Sequence, residues 1–223
     1  MIPWKLLDTA QTPGNGLELR LYQRDKEFSI KAGNYELMNS RVYGTEDALG
    51  KLACQKIANH PQPRVLIGGL GMGYTLKSAL DELGETAEVL VMELVPDVVR
   101  WNQGLLAHLA GNPLDDERVT VQVGDVAQMI KRSRGSFSAI LLDVDNGPNA
   151  LTSMDNHWLY SIAGLETAHA ALKPNGILGI WSSDRDAGFA KRLSQVGFDV
   201  DEVPVRELGK KGGHHIVWIA ERI

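Results

Sequence analysis

The stretch Arg64-Val-Leu-Ile-Gly-Gly-Leu-Gly-Met-Gly-Tyr74 decides the fold, because an apolar run ends there in four glycines and a helical pattern follows. We interpret it as a buried strand, a tight turn and a helix that begins near Tyr74. Glycines at such a turn let the backbone approach a ligand closely, and the helix N-terminus behind them offers N–H groups. The turn therefore predicts either a nucleotide-like ligand or only a tight structural connection.

Strand and helix patterns alternate along the chain from Arg64 onward. Predicted strands cover 65–70, 87–94, 118–123, 139–144 and 176–182, and predicted helices cover 73–83, 96–109, 126–133, 156–172 and 186–196. Apolar runs such as Val89-Leu-Val-Met92 suit strands buried on both faces, and helices between strands require parallel pairing. Two final strands, 198–205 and 214–220, follow each other without a helix. We therefore predict an α/β fold: a doubly wound, seven-stranded sheet with an antiparallel C-terminal edge hairpin.

The first 44 residues have a different pattern. Residues 1–16 are predicted to be a lead-in with little structure, whereas 17–23, 27–31 and 34–38 alternate apolar and polar side chains, which is typical of a small antiparallel meander. A sheet this small must pack on the main domain or on another subunit. Thr45 is predicted to cap a helix that runs to about Asn59. The predicted domains are 1–44 and 45–223.

Composition limits the kind of partner. The chain has 223 residues, 43% of them hydrophobic, and a formal net charge of −5. This charge argues against a general nucleic-acid or acidic-membrane surface, so we expect a small-molecule partner. No apolar run approaches the roughly 18 residues of a membrane span. A single cysteine, Cys54, fits a reducing compartment, and a cytoplasmic location is expected.

Carboxylates follow several of the predicted strands, at the edge where ligands bind in a doubly wound sheet. Glu93 comes about 20 residues after the glycine turn, where an acid accepts hydrogen bonds from two ribose hydroxyls. Alternatively, it caps the helix that starts at Pro96. Asp125 is placed to accept from an exocyclic amine such as that of adenine, a role that is compatible with an N-cap for the helix from Val126.

These features together resemble the adenosine pocket of the S-adenosylmethionine-dependent methyltransferase fold. The candidate donor-binding residues are Gly68, Gly69, Leu70, Gly71 and Gly73 of the turn, Glu93 with Leu94, Asp125 with Val126, and Asp143. A closer resemblance rests on the segments 137–143, 143–148 and 172–177 and on the meander, which are similar to the spermidine synthase family of aminopropyltransferases. It covers the chain from about Leu17 to Ile223.

The resemblance implies that Asp143 deprotonates or orients an amine nucleophile, and that Asp145 holds a second positive centre of the substrate. Asn146 lies beside them as a further substrate-binding candidate. An alternative is a structural loop in which Asp145 and Asn146 cap backbone amides.

Other residues are candidates for the acceptor side. Trp181 follows a strand end, and Tyr43 and Glu46 face the acceptor by resemblance to the N-terminal segment of the family. Glu46 is also explained by compensation of the helix dipole. No metal is expected, because His214 and His215 are adjacent on a strand and point to opposite faces, and no ligand spacing is typical of zinc.

One difference from the family, in the glycine turn, determines which donor and which reaction the sequence favours. The family carries an acid inside the glycine turn, which grips the ammonium of the decarboxylated donor, whereas this chain has Gly71 there. Bare N–H groups would favour an anion, and therefore S-adenosylmethionine that keeps its carboxylate. The sequence hence favours methyl transfer to a small nucleophile. The alternatives are aminopropyl transfer from decarboxylated S-adenosylmethionine to a diamine, and a non-catalytic adenosine-binding protein. A homodimer through the meander is possible by the same resemblance.

Overall fold

The computed structural model describes residues 2–14, 16–144, 158–208 and 211–223. The strands are β1 Lys5–Gln11, β2 Glu18–Arg24, β3 Glu27–Ala32, β4 Tyr35–Asn39, β5 Arg64–Gly68, β6 Glu88–Glu93, β7 Val119–Val123, β8 Phe137–Leu142, β9 Leu172–Ser182, β10 Phe198–Leu208 and β11 Lys211–Arg222. The helices are α1 Gly44–Gln55, α2 Tyr74–Glu82, α3 Pro96–Asn102, α4 Val126–Arg132, α5 Ile162–Ala171 and α6 Ala187–Val196.

The N-terminal sheet is an antiparallel meander in the order β1-β2-β3-β4. Strand β2 buries Leu19 and Leu21 and leaves Arg20 exposed, as its alternation predicts. The prediction of little structure in residues 1–16 is wrong, because β1 pairs with β2 from Lys5 to Gln11, with an irregularity between Leu6 and Asp8. Only Ala10 of β1 is buried, so the strand is fixed by backbone hydrogen bonds rather than by an apolar pattern.

The larger sheet has the order β10-β11-β9-β8-β5-β6-β7. Strands β9, β8, β5, β6 and β7 are parallel, and β11 is antiparallel to both β9 and β10. Every residue of β8 is buried, which matches its unbroken apolar sequence. The predicted seven-stranded sheet with a C-terminal hairpin at its edge is confirmed.

Helices cover both faces of this sheet. Apolar side chains of α1, α2 and α3 form one buried layer with the N-terminal sheet, and those of α4, α5 and α6 form the other. The N-terminal sheet is joined to α3 by a 2.8 Å hydrogen bond from the indole Nε1 of Trp101 to Oδ2 of Asp8. Of the two arrangements predicted for the meander, the structure shows packing on the main domain. The division into domains at residue 44 stays a prediction.

Helix α1 differs from its predicted form at both ends. It ends at Gln55, and its N-cap position is Tyr43, which makes no side-chain capping bond. Thr45 lies within the first turn, and its hydroxyl donates 2.5 Å to Oε2 of Glu46. The predicted Thr45 cap is therefore wrong: the hydroxyl donates its hydrogen bond to a neighbouring carboxylate and does not cap the helix. Among the described helices, none is long and apolar enough to cross a membrane.

Candidate active site

The glycine turn between β5 and α2 brings the backbone close to the end of β8. Gly69, Gly71 and Gly73 adopt positive φ angles of +89°, +52° and +84°. Residues that have a Cβ atom rarely adopt such angles. A Cβ atom on Gly69 would overlap the carbonyl oxygen of Asp143. The turn therefore needs glycine for its conformation and for the approach of Asp143.

Glu93, the last residue of β6, is buried against this turn. Its Oε2 accepts 2.8 Å from the N–H of Leu70, and its Oε1 accepts 2.9 Å from the N–H of Val95. Burial raises the pKa of Glu93, whereas hydrogen bonds from the backbone of Val95, Leu70, Leu94 and Gly71 lower it. The carboxylate is thus fixed at the mouth of β6, where remaining lone pairs can accept from a ribose diol.

The prediction that bare N–H groups of the turn favour an anion is wrong. The N–H of Gly69 donates 2.9 Å to the carbonyl of Met92, and that of Gly73 donates 2.8 Å to the carbonyl of Leu70. Together with the bond from Leu70 to Glu93, these contacts engage the N–H groups of Gly69, Leu70 and Gly73. The anion that the turn binds is the protein's own carboxylate, so the turn gives no reason to prefer an intact, carboxylate-bearing donor.

Asp125 caps α4, as the sequence predicts. Its Oδ1 accepts 2.8 Å from the N–H of Ala127. The following Val126 packs under the glycine turn, since a Cβ on Gly68 would come within 2.9 Å of it. The cap uses one oxygen of Asp125, so a bond to an adenine amine through the other is compatible with it.

Asp143 follows β8 directly and faces α2. The hydroxyl Oγ1 of Thr75 donates 2.7 Å to its Oδ2. Burial raises the pKa of Asp143 to about 6, with a contribution from the charge of Glu93, although the bond from Thr75 lowers it. A carboxyl group in this position can take a proton from, or bind, an amine near neutral pH.

Glu46 reaches the same region from α1. Gly50 lets α1 contact α2, since a Cβ there would lie 2.6 Å from the carbonyl oxygen of Thr75. Burial, and next the charge of Asp143, raise the pKa of Glu46 to about 7. A group placed only to compensate the helix dipole would be exposed, as the neighbouring Asp47 is.

These carboxylates line one cavity of about 260 Å³ under the N-terminal sheet. Its upper wall is apolar and includes Leu19, Ile30, Leu37 and Met38. Its other walls hold the carboxylates of Glu46, Glu93, Asp125 and Asp143. Among the described residues that line it, none is lysine, arginine or histidine. The cavity therefore favours a ligand that is apolar in part and positively charged.

The structure places most of the predicted site residues at this cavity. The lining includes Glu46, Gly69, Gly71, Glu93, Leu94, Asp125, Val126, Asp143 and Trp181. Gly68, Leu70 and Gly73 support the turn behind it, and Tyr43 is half-exposed and stacks on Tyr74 at 4.2 Å outside the lining. Asp145 and Asn146 lie outside the described residues. No group of three potential metal ligands occurs in the described ranges.

Three features of the site escaped the sequence analysis. Thr75 and Met38 have no local signal, because their roles depend on contacts between distant segments. The third is the pair of side chains behind Trp181, His215 and Glu207. The ring of Trp181 stacks on that of His215, with 5.3 Å between the ring centroids. His215 Nε2 lies 2.9 Å from Oε1 of Glu207. The antiparallel pairing of β9 and β11 could have indicated this neighbourhood, since it places the start of β11 beside the end of β9.

Curated proteins resemble part of the chain. Polyamine aminopropyltransferase 2 of Caldanaerobacter subterraneus subsp. tengcongensis is 38% identical over 87 residues, 38% of this chain and 28% of the relative. Polyamine aminopropyltransferase of Bacillus mycoides is 30% identical over 151 residues, 67% of this chain and 52% of the relative. The chain thus spans about half the length of these relatives or less. No protein-family model matches it.

Solved structures share the fold over nearly the whole chain. Spermidine synthase from Thermotoga maritima has a TM-score of 0.77 at 16% identity, over 98% of this chain and 73% of that one. A spermidine synthase in complex with the transition state analogue AdoDATO gives the same TM-score at 15% identity.

These comparisons contradict the first functional hypothesis, methyl transfer. The relatives are named polyamine aminopropyltransferases and the structures spermidine synthases, which is the class predicted as the alternative. The physical reason for the error is the glycine turn: the N–H of Leu70 donates to Glu93, and those of Gly69 and Gly73 donate to backbone carbonyls, so these groups give no preference for a carboxylate. The sequence relatives support a spermidine synthase-like family for the chain, and the solved structures show that it shares their fold.

Proposed function

We propose that the protein transfers an aminopropyl group from decarboxylated S-adenosylmethionine to a small amine, such as a linear diamine. The observation that carries this proposal is the charge of the cavity: four carboxylates and, among its described lining residues, no basic side chain. The names of the relatives point to the same reaction.

The charge of the cavity discriminates between the two donors. Intact S-adenosylmethionine would bring its own carboxylate among Asp143, Glu46 and Glu93. Two like charges about 4 Å apart repel by about 4 kcal/mol at an effective dielectric constant of about 20. The decarboxylated donor has only positive charges on its arm and sulfur, so the same carboxylates attract it.

Adenosine binding falls to residues of the sheet edge. Glu93 would accept from the ribose hydroxyls, and the free oxygen of Asp125 from the adenine amine. Leu94 and Val126 would supply apolar contacts to the base, and Gly69 and Gly71 would let it approach the backbone. The support for these roles is that all of these residues line the same cavity as Asp143.

Asp143 has the central role in the chemistry. The donor supplies a methylene carbon bonded to a positive sulfur; the amine lone pair forms a C–N bond there, the C–S pair stays on sulfur, and methylthioadenosine is released. Only a neutral amine can attack, so Asp143 accepts a proton from the amine and holds the nitrogen in line. Thr75 fixes the carboxyl group that does so. Trp181 would form the wall against which the acceptor lies.

Product analysis tests this function. The protein, incubated with decarboxylated S-adenosylmethionine and diamines of about three to five carbons, should release methylthioadenosine and an equal amount of amine extended by one aminopropyl group, read by mass spectrometry. Asp143→Asn should lower turnover by about 100-fold or more while the protein stays folded. If no diamine were extended, or if Asp143→Asn turned over normally, the proposal would be wrong.

We further propose a cytoplasmic homodimer. Its support is the edge strand β4, which leaves Tyr35 77% exposed and Leu37 40% exposed on the N-terminal sheet. A sedimentation experiment that shows only monomer would exclude the dimer.

A further inference from the structure

The space beside Gly71 in the glycine turn, where an acidic side chain would lie, is occupied by Met38. Gly71 has a φ of +52°, and a Cβ atom on it would overlap both Sδ and Cε of Met38. Met38 comes from β4, so the N-terminal sheet fills the space above the turn with a thioether. An ammonium group on the ligand must therefore find its carboxylate elsewhere in the cavity.

Three of the four cavity carboxylates already have structural partners. Glu93 is held by the N–H groups of Leu70 and Val95, Asp125 caps α4, and Asp143 accepts from Thr75. The side chain of Glu46 accepts from the hydroxyl of Thr45 and from its own backbone N–H, both within the first turn of α1. A ligand can therefore bind Glu46 without breaking a contact between two elements of the fold.

The position of Glu46 is fixed by the backbone. Its carbonyl oxygen lies 3.3 Å from Oγ1 of Thr75, the atom that also donates to Asp143. One threonine therefore links α1 to the end of β8. The charge of Asp143 acts on Glu46, the charge of His215 opposes it, and no lysine or arginine occurs among the described residues that line the cavity. Two such carboxylates bind one shared cation favourably.

We propose that Glu46 binds the ammonium group of the donor's aminopropyl arm. An acidic side chain in the glycine turn could have made this contact, but Met38 occupies the space there. The inference rests on the proposed function and assigns the donor-specificity contact of that same site to α1. Glu46 is then a specificity-determining residue: it distinguishes an aminopropyl donor from a sulfonium nucleoside without the amine.

Calorimetry with two ligands tests this contact. One is decarboxylated S-adenosylmethionine. The other is the dimethylsulfonium analogue of adenosine, which keeps the nucleoside and the positive sulfur but has a methyl group in place of the aminopropyl arm. Glu46→Gln should weaken the first ligand about tenfold or more and the second less than about twofold. Asp47→Asn, an equal change of charge on the exposed side of the same turn, should alter neither.

The outcomes separate the inference from the function on which it rests. Retained affinity of Glu46→Gln for the analogue shows that the variant is folded and binds nucleoside. If the variant lost affinity for both ligands equally, or for neither, Glu46 would not bind the amine and the inference would be wrong. If the unaltered protein bound neither ligand, the proposed function would fail, and the inference with it.

Discussion

Thr75 Oγ1 donates a 2.7 Å hydrogen bond to Oδ2 of Asp143, from the second residue of α2 to the first residue after β8. The bond lowers the pKa of Asp143 against the effect of burial. It therefore holds the carboxyl group in place and helps to keep it ionised, the form in which it can accept a proton.

Replacement of Thr75 by valine should lower kcat by about tenfold, since a hydrogen bond to a charged group contributes about 1.5–3 kcal/mol. The acidic limb of the pH–rate profile should also move to higher pH, because the loss of the bond raises the pKa of Asp143. Thr75→Ser keeps the hydroxyl and should behave as the unaltered protein does. A valine variant with an unchanged profile would show that Thr75 only fills space.

The stability of the ligand-free protein should depend on Glu46 and Asp143. Their folded pKa values of about 7 and about 6 lie above the ordinary 4.5 and 3.8, so the folded chain binds more protons than the unfolded chain between about pH 4 and pH 7. Their contribution to stability is thus full below about pH 4 and is lost as the pH rises through 7.

Glu46→Gln should remove part of this loss. Between pH 5 and pH 8 the free energy of unfolding should fall less in the variant, by at most about 3 kcal/mol, as measured by denaturant titration. The other titratable groups near Glu46 are His215, whose charge lowers its pKa, and Tyr74. Parallel curves for the two proteins would contradict the assigned pKa values.

Trp181→Ala should affect the acceptor more than the donor. The indole is held by stacking on His215, and that ring is in turn fixed by Glu207, so the wall is rigid before the acceptor binds. The KM for the diamine should rise about tenfold, while the affinity for the dimethylsulfonium analogue of adenosine should stay unchanged. A loss of nucleoside affinity instead would place Trp181 on the donor side.

Met38 and Gly71 should show a coupled effect on stability. Gly71→Asp puts a side chain at a positive φ and against Met38, and should destabilise the protein by about 2 kcal/mol or more. Met38→Ala removes the overlap, so the double variant should lose less than the sum of the two single changes. Thermal unfolding of the four proteins measures this coupling, and strict additivity would show that the two residues do not compete for space.

The sequence predicted features that depend on local pattern. The alternation of β5, α2 and β6 and the glycine turn follow from residues that are neighbours in the chain, and Asp125 caps α4 as an acid before a helix should. Strand β1 escaped prediction because Lys5–Gln11 has little apolar alternation and owes its conformation to pairing with β2.

Some features of the site could not be predicted from the sequence, because they depend on contacts between segments that are distant in the chain. Whether the turn's N–H groups are free depends on the approach of Glu93, which lies 23 residues from Leu70. The space above Gly71 depends on Met38, which the meander brings over the turn. The first contact removes the argument that the turn binds the carboxylate of an intact donor, and the second explains why the turn itself carries no acid.

The acidic cavity should select the decarboxylated donor. Calorimetric titration of the unaltered protein at pH 7.5–8 compares S-adenosylmethionine with its decarboxylated form, which differ by one carboxylate. Decarboxylated S-adenosylmethionine should bind at least about tenfold more tightly, because the like-charge repulsion is absent. Equal affinity, or tighter binding of intact S-adenosylmethionine, would show that the carboxylates of the cavity do not select the donor.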